Sequence, residues 1–209
     1  FVVSDWGAVN DRVAGVKAGL DLEMPPSCGV NDKLIEKAVK DGKLDEAVLD
    51  LTVERILQIV YRFMENRDKE AVFDKEKQHE FSRKVAEESL VLLKNDGILP
   101  LKKEQKIAFI GQYAKKPRYQ GGGSSHINSY KVTGALELVK DMPNVLFAEG
   151  YNDQEDKVDE KMVEEAVKAA KEAEVAVVFA GLPDAFESEG YDRTHMQMPK
   201  SQNHLIEEI

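Results

Sequence analysis

Apolar and polar residues alternate along this chain in a pattern that predicts two α/β segments joined by a charged stretch. The first segment opens on the apolar, β-prone run Phe1–Ser4 and continues into residues with helical spacing. A short alternating run then stops at Pro25-Pro26. The predicted elements of this segment are a strand, a helix, a strand and a pair of helices, at residues 1–4, 10–19, 20–24 and 31–64. A strand–helix–strand unit of this size indicates α/β construction.

Residues 65–78 are highly charged and show little periodicity, so we interpret them as a surface linker. A helix is predicted beyond them, from about Glu76 to Lys94, and a regular alternation of strands and helices follows. The predicted elements of that alternation are strands at 106–111, 145–148 and 175–180, and helices at 134–140, 158–173 and 201–209. The last strand, Val175–Ala180, is nearly all apolar, which is typical of a strand covered on both faces.

The composition of the chain argues against several classes of function. The 209 residues are 42% hydrophobic and 33% charged, as in an ordinary globular sequence, and no apolar run is long enough to cross a bilayer. The net charge of −10 argues against nucleic acid as the main partner, because phosphate binding needs clustered Lys and Arg. Cys28 is the single cysteine, which fits a reducing compartment, so we expect a cytoplasmic protein.

The acid of Ser4-Asp5-Trp6 directly follows the first predicted strand. In parallel α/β folds, ligands bind at the carboxyl ends of the strands, so Asp5 is expected at such an edge. Its carboxylate could be a nucleophile, a metal ligand or a helix N-cap. Trp6, the only tryptophan, could supply a flat apolar platform.

A second acidic stretch, Glu187-Ser188-Glu189-Gly190-Tyr191-Asp192-Arg193, follows the predicted strand 175–180. Loops of this composition are mostly solvated surface. The functional interpretation is a general acid whose pKa is tuned by neighbouring charges and by burial.

The glycine-rich stretch Gly121-Gly122-Gly123-Ser124-Ser125-His126 allows close approach of the backbone to a ligand. A dinucleotide loop is disfavoured, because nine residues separate the strand KIAFIG from these glycines and no helix opens directly on them. His126 alone is too little for a metal site, which needs several convergent ligands. We therefore expect no metal and no cofactor.

Taken together, these stretches resemble glycoside hydrolase family 3, and in particular its bacterial β-glucosidase branch. The resemblance is carried in order by VVSDWGAVNDRVAGVKAGLDLEMP, SRKVAEESLVLLKNDGILPL, PRYQGGGSSHIN and ESEGYDRTHMQMPKSQNHLI. It implies an α/β fold in which the C-terminal end of a (β/α)₈-like barrel is followed by part of an α/β/α sandwich. The implied parts are the barrel end with trailing helices, the linker and the incomplete sandwich, at residues 1–64, 65–78 and 79–209.

The resemblance also implies roles for individual residues. Asp5 would be the nucleophile and Glu189 the acid/base of a retaining, exo-acting β-glucosidase, with Glu187 as the rival acid. Trp6 and the loop Gly121, Gly122, Gly123 and Ser124 would contact substrate, an oligosaccharide or an aryl or alkyl β-glucoside. Asp192 and Arg193, together with Glu187, would support the loop.

The family's sugar-binding residues on earlier barrel strands are not in this sequence. We therefore expect the 209-residue chain alone to have little or no activity, and to be held by self-association, as a homo-oligomer, or by a complementing barrel fragment. Two other functions stay open. One is a β-xylosidase or arabinosidase of the same family, and the other is a non-catalytic carbohydrate-binding module.

Overall fold

The chain divides after Phe73 into two units, residues 1–73 and 74–209, each with its own core. The computed structural model describes all residues from 1 to 209. The helices of the first unit are α1, α2 and α3, spanning Arg12–Lys17, Val30–Lys40 and Glu46–Asn66. The elements of the second unit are α4 (Lys75–Ser89), β1 (Ile107–Ile110), α5 (Ala135–Val139), β2 (Val145–Ala148), α6 (Glu160–Glu172), β3 (Val175–Val178) and α7 (Lys200–Glu208).

In the first unit, short polar caps and a small apolar cluster fix the helices. The carboxylate of Asp11 accepts a hydrogen bond from the Ala14 backbone N–H at the start of α1, at 2.9 Å. Asp45 caps α3 in the same way. Val16, Ala38 and Leu44 form the buried core between these helices.

The two strands predicted at the N-terminus reduce to one parallel bridge, between Val3 and Leu22. The segments do run side by side, since the Ser4 N–H donates to the Leu22 carbonyl at 2.9 Å. However, the buried carboxylate of Asp21 takes the Val2 N–H at 2.7 Å, an N–H that a regular ladder would use. The prediction of two full strands was therefore wrong.

The second unit is a mixed α/β fold around a parallel sheet with strand order β2-β1-β3. The central strand β1 is the most buried, because β2 and β3 flank it on both sides and α6 also packs across it. The core is made of small and medium apolar side chains with one tyrosine, namely Ala108, Ile110, Ala148, Tyr151, Val163, Ala166 and Leu205. All three strands lie where the apolar runs predicted them, each within two residues of the predicted ends.

Two predictions for this unit were wrong. The helix predicted to reach Lys94 ends at Ser89, and Leu90–Leu93 lie outside any helix or strand and are 66–92% exposed. Four consecutive apolar residues do not follow helical spacing, and the Ser89 hydroxyl bonds back to the Val85 carbonyl at 2.7 Å as the helix ends. Strand β3 is only half-buried along its whole length, whereas its apolar run predicted a strand covered on both faces.

None of the helices combines the length and the apolar character that a membrane-spanning helix needs.

Candidate active site

Two long loops leave the same edge of the sheet, one after β1 and the other after β3. The chain first places β2 on one side of β1 and then crosses back to place β3 on the other side. Strand order therefore changes direction between β1 and β3, and this is the position where open α/β sheets bind ligands, beyond the carboxyl ends of the strands. The glycine-rich loop follows β1 and the acidic loop follows β3, so both predicted functional stretches of this unit start at that point.

The two loops meet at Glu189. The Ser124 hydroxyl donates to Oε1 of Glu189 at 2.9 Å, and the Ser124 backbone N–H donates to Oε2 at 3.1 Å. The hydroxyl bond first and the backbone bond second lower the pKa of the Glu189 carboxyl, against a small opposing effect of burial. The carboxylate form is thus the favoured one in this arrangement.

Where the two loops meet, a side chain larger than that of glycine would not fit, and Gly123 also has a positive φ that favours glycine. A Cβ on Gly123, which has a φ of +70°, would lie 1.9 Å from Oε2 of Glu189. A Cβ on Gly122 would lie 2.3 Å from the Ser188 hydroxyl oxygen. The run of glycines therefore serves to let one backbone lie directly against the acidic loop.

Arg118 braces the same acidic loop from the β1 side. Its Nε donates to Oδ1 of Asp184 at 2.7 Å, and its Nη2 donates to the Glu187 carbonyl at 3.2 Å. The Glu187 carboxylate also lies 3.5 Å from Nη1. Sequence reasoning missed Arg118, although it stands only three residues before the glycines, because nothing along the chain indicates a partner 66 residues away.

The root of the acidic loop is fixed by two buried side chains. Gln202 of α7 is 1% exposed, and its amide pairs with both backbone groups of Gly181, accepting from the N–H at 2.9 Å and donating to the carbonyl at 2.8 Å. The Tyr151 hydroxyl donates to the Phe179 carbonyl at 2.6 Å. The loop therefore leaves β3 from an anchored point.

A cavity of about 440 Å³ lies at this edge of the sheet. It is bordered by residues that follow all three strands, including Tyr113, Arg118, His126, Asp153 and Asp184. The Tyr113 hydroxyl has no hydrogen-bond partner, and burial, with the nearby Asp153 charge, raises the pKa of that phenol. Glu189 and Ser124 do not line this cavity, so the Ser124–Glu189 contact and the cavity are separate features of the edge.

Asp5 and Trp6 belong to the first unit, and both are exposed, Trp6 at 71%. Oδ1 of Asp5 accepts a hydrogen bond from the Trp6 backbone N–H at 2.7 Å. Asp5 does not cap a helix, because Asp11 fills that position for α1. Of the three roles open to Asp5 in the sequence, the helix-cap role is excluded.

The remaining predicted residues of the acidic loop do not surround Glu189. Asp192 is exposed and makes no hydrogen bond or ion pair, while Arg193 donates through Nη2 to the Gln197 carbonyl at 2.6 Å. The arginine that reaches the loop's acids is Arg118. No three or more His, Cys, Asp or Glu side chains converge in a way that could hold a metal ion.

The fold and the site define a class of protein, namely an α/β domain that presents a hydrogen-bonded carboxylate where the strand order of a parallel sheet changes direction. The family model of the glycosyl hydrolase family 3 C-terminal domain matches residues 90–209. The chain belongs to glycosyl hydrolase family 3.

Known members of the family include close relatives over the whole chain. It is 55% identical to thermostable β-glucosidase B of Acetivibrio thermocellus, covering 100% of this chain and 28% of that protein. It is 41% identical to an exo-α-(1→6)-L-arabinopyranosidase of Bifidobacterium breve, covering 100% of this chain and 29% of that protein. The crystal structure of a family 3 β-glucosidase from Bifidobacterium adolescentis superposes with a TM-score of 0.91 at 40% identity, covering 100% of this chain and 31% of that one. The chain thus spans under a third of the length of these relatives.

Proposed function

We propose that this chain supplies both catalytic carboxyl groups of a retaining, exo-acting β-glucosidase that removes terminal non-reducing β-D-glucosyl residues. The observation that carries the proposal is the meeting of the two loops at Glu189, in a chain 55% identical to a β-glucosidase. The proposed substrates are oligosaccharides and aryl or alkyl β-glucosides.

In the proposed first step, the ionised Asp5 carboxylate attacks the anomeric carbon and a glycosyl-enzyme ester forms. The bond from that carbon to the departing oxygen breaks, and Glu189, protonated for this step, gives its proton to that oxygen. In the second step Glu189, now ionised, takes a proton from a water molecule, and the water oxygen bonds to the anomeric carbon. The bond from that carbon to the Asp5 carboxylate breaks, which frees the sugar and returns Asp5 to its ionised form. Retention requires the two carboxyl groups to come within about 5–5.5 Å of each other in the working enzyme.

The other residues have proposed supporting roles. Trp6 is 71% exposed and offers an aromatic face beside Asp5 on which a sugar ring can stack. Gly121–Ser124 border the sugar next to Glu189. Arg118 holds the loop through Glu187, and this contact supports a bracing role for Glu187 rather than the role of acid.

We also propose that residues 1–64 end a (β/α)₈-like barrel, that 65–78 link it onward, and that 79–209 begin an α/β/α sandwich. The family match over 90–209 and the parallel sheet of the second unit support the last of these. Self-association or a complementing barrel segment is the proposed way of covering apolar side chains such as Val60 and Phe63, which are 47% and 61% exposed on α3.

A second candidate keeps the mechanism and changes the sugar. It is favoured by the 41% identity to an exo-α-(1→6)-L-arabinopyranosidase over the whole chain. The two candidates are separated by comparing kcat/KM for 4-nitrophenyl β-D-glucoside, β-D-xyloside and α-L-arabinopyranoside, and the β-glucosidase proposal requires the glucoside to be preferred.

The proposed roles are tested with the protein expressed from its whole gene. Asp5→Asn is expected to lower hydrolysis of an alkyl β-glucoside by at least about 10³-fold, because no nucleophile remains. Glu189→Gln is expected to lower it by about 10²–10⁴-fold, the usual contribution of general acid–base catalysis. On 2,4-dinitrophenyl β-glucoside, whose leaving group needs no proton, the first step of Glu189→Gln should be nearly unimpaired.

Glu187→Gln is the matched control, since it removes a carboxylate two residues away that is engaged by Arg118. If Glu187→Gln shows the leaving-group dependence and Glu189→Gln does not, the acid is assigned to the wrong residue.

A further inference from the structure

Glu189 has an unusual set of partners for a residue proposed to donate a proton. Its side chain is exposed, yet both carboxyl oxygens are engaged by one residue, Ser124. A backbone N–H can only donate, so Oε2 must accept at that position. If the carboxyl were protonated on Oε1, the Ser124 hydroxyl would have to turn and accept instead. Hydrogen bonds donated to a carboxyl are stronger when it is ionised, and the backbone bond to Oε2 cannot reverse its direction, so the two contacts with Ser124 favour the anion.

No neighbouring charged side chain accounts for the preference of Glu189 for its ionised form. None of the other ionisable groups on the two loops forms an ion pair with Glu189. These groups are Tyr113, Lys115, Lys116, Arg118, Tyr119, His126, Tyr130, Lys131, Asp184, Glu187, Tyr191, Asp192, Arg193 and His195. Arg118 donates its hydrogen bonds to Asp184 and Glu187, and Arg193 donates to a backbone carbonyl of its own loop. The hold on the carboxylate comes from Ser124 alone.

We propose that Ser124 is a positioning residue that holds Glu189 as the anion in the unliganded protein, so that proton donation requires Glu189 to leave Ser124. The inference rests on the proposed acid/base role of Glu189 and goes beyond it by assigning the group that opposes the acid step. Ser124 acts through Glu189 and takes no part in bond making. In the second step, where Glu189 must be ionised to activate water, the same contact is favourable.

The inference has a definite consequence for the pH profile. The value of kcat/KM reports the free enzyme, and it falls on the alkaline side as the essential acid loses its proton. Removing the Ser124 hydroxyl takes away the largest influence that lowers the pKa of Glu189. The pKa of Glu189 then rises, and the alkaline limb of kcat/KM moves to higher pH.

The experiment compares pH profiles of kcat/KM for an alkyl β-glucoside, using the protein from its whole gene. Ser124→Ala is expected to move the alkaline limb to higher pH, and Ser124→Thr, which keeps a hydroxyl, to leave it near the wild-type position. Ser125→Ala is the matched control, because the Ser125 hydroxyl donates only to the Gly122 carbonyl, at 3.0 Å, and this variant should not move the limb. An unmoved limb in Ser124→Ala, or an equal shift in Ser125→Ala, overturns the inference.

A second readout does not depend on turnover. Glutamate labelled with ¹³C at the carboxyl carbon reports the titration of Glu189 by NMR, with Glu189→Gln identifying its signal. Ser124→Ala should raise the pH at which this signal titrates, and an unchanged titration overturns the inference while leaving the acid role of Glu189 intact. If the titration rises but Glu189→Gln hydrolyses alkyl glucosides at the wild-type rate, the proposed function fails and the positioning role fails with it.

Discussion

The anchoring of the acidic loop by Gln202 leads to a prediction with a magnitude. Gln202→Leu keeps a buried side chain of similar size but leaves the N–H and the carbonyl of Gly181 without their partners. An unpaired buried polar group costs about 1–3 kcal/mol, and Gly181 is only partly buried, so we take about 1 kcal/mol for each group. The free energy needed to open the loop locally at Gly181 should then fall by about 2 kcal/mol, which is roughly a 30-fold change in the local opening equilibrium.

Hydrogen exchange detected by mass spectrometry measures this opening directly. In Gln202→Leu the Gly181 amide should exchange about 30-fold faster than in wild type, while amides of the central strand β1 stay protected. Asn203→Leu is the control, because Asn203 is the exposed next residue of α7 and its amide makes only a 3.5 Å contact with the Met198 carbonyl. Unchanged exchange at Gly181, or equal acceleration by Asn203→Leu, would refute the anchoring role of Gln202.

Two further predictions follow from single contacts. Gly123→Ala should displace the Glu189 carboxyl from Ser124, because its Cβ would lie 1.9 Å from Oε2 of Glu189, and should therefore move the alkaline limb of kcat/KM for an alkyl glucoside to higher pH, as expected for Ser124→Ala. Gly97→Ala, with φ of +99° and open space around it, carries similar backbone strain and should leave that limb unchanged. Asp156→Asn should destabilise the second unit at pH 7, and the difference from wild type in urea unfolding should shrink as pH falls below the ordinary aspartate pKa of 3.8. Burial works against ionisation there, but hydrogen bonds from Ser201 and from the Lys200 backbone outweigh it and lower the pKa of Asp156, so its stabilisation exists above that range and is lost on protonation. Asp192→Asn, which removes an exposed carboxylate without contacts, should show no such pH dependence, and a constant difference for Asp156→Asn would contradict the assignment.

Local pattern predicted much of the second unit. The apolar runs KIAFIG, VLFA and VAVVFA are short, β-rich and separated by helical spacing, which fixes strand type and also places the loops at the carboxyl edge. Both loops of the candidate site could therefore be located from sequence alone. Their partners could not, because Ser124 and Glu189 are 65 residues apart and neither residue type indicates the other.

The predictions failed where non-local contacts override local preference. Apolar residues after Ser89 fit a helix by composition, but their unbroken run gives no helical face. The apolar run Phe1–Ser4 predicts a strand, but the Val2 backbone N–H donates to the carboxylate of Asp21 and so is not available to pair with a neighbouring strand. From the sequence, Gln202 is an ordinary polar residue of an amphipathic helix. Only the three-dimensional structure shows that it is buried and hydrogen-bonded to Gly181.

The central claim is that Asp5 forms a covalent bond to the sugar. The most direct measurement incubates the protein from its whole gene with 2,4-dinitrophenyl 2-deoxy-2-fluoro-β-D-glucoside, which slows the second step so that the glycosyl-enzyme accumulates, and then maps the modified peptide by mass spectrometry. The account requires one fluoroglucosyl group, carried by Asp5 and absent from Asp5→Asn. A label on any other residue, or release of the product with inverted anomeric configuration and no label, would contradict it.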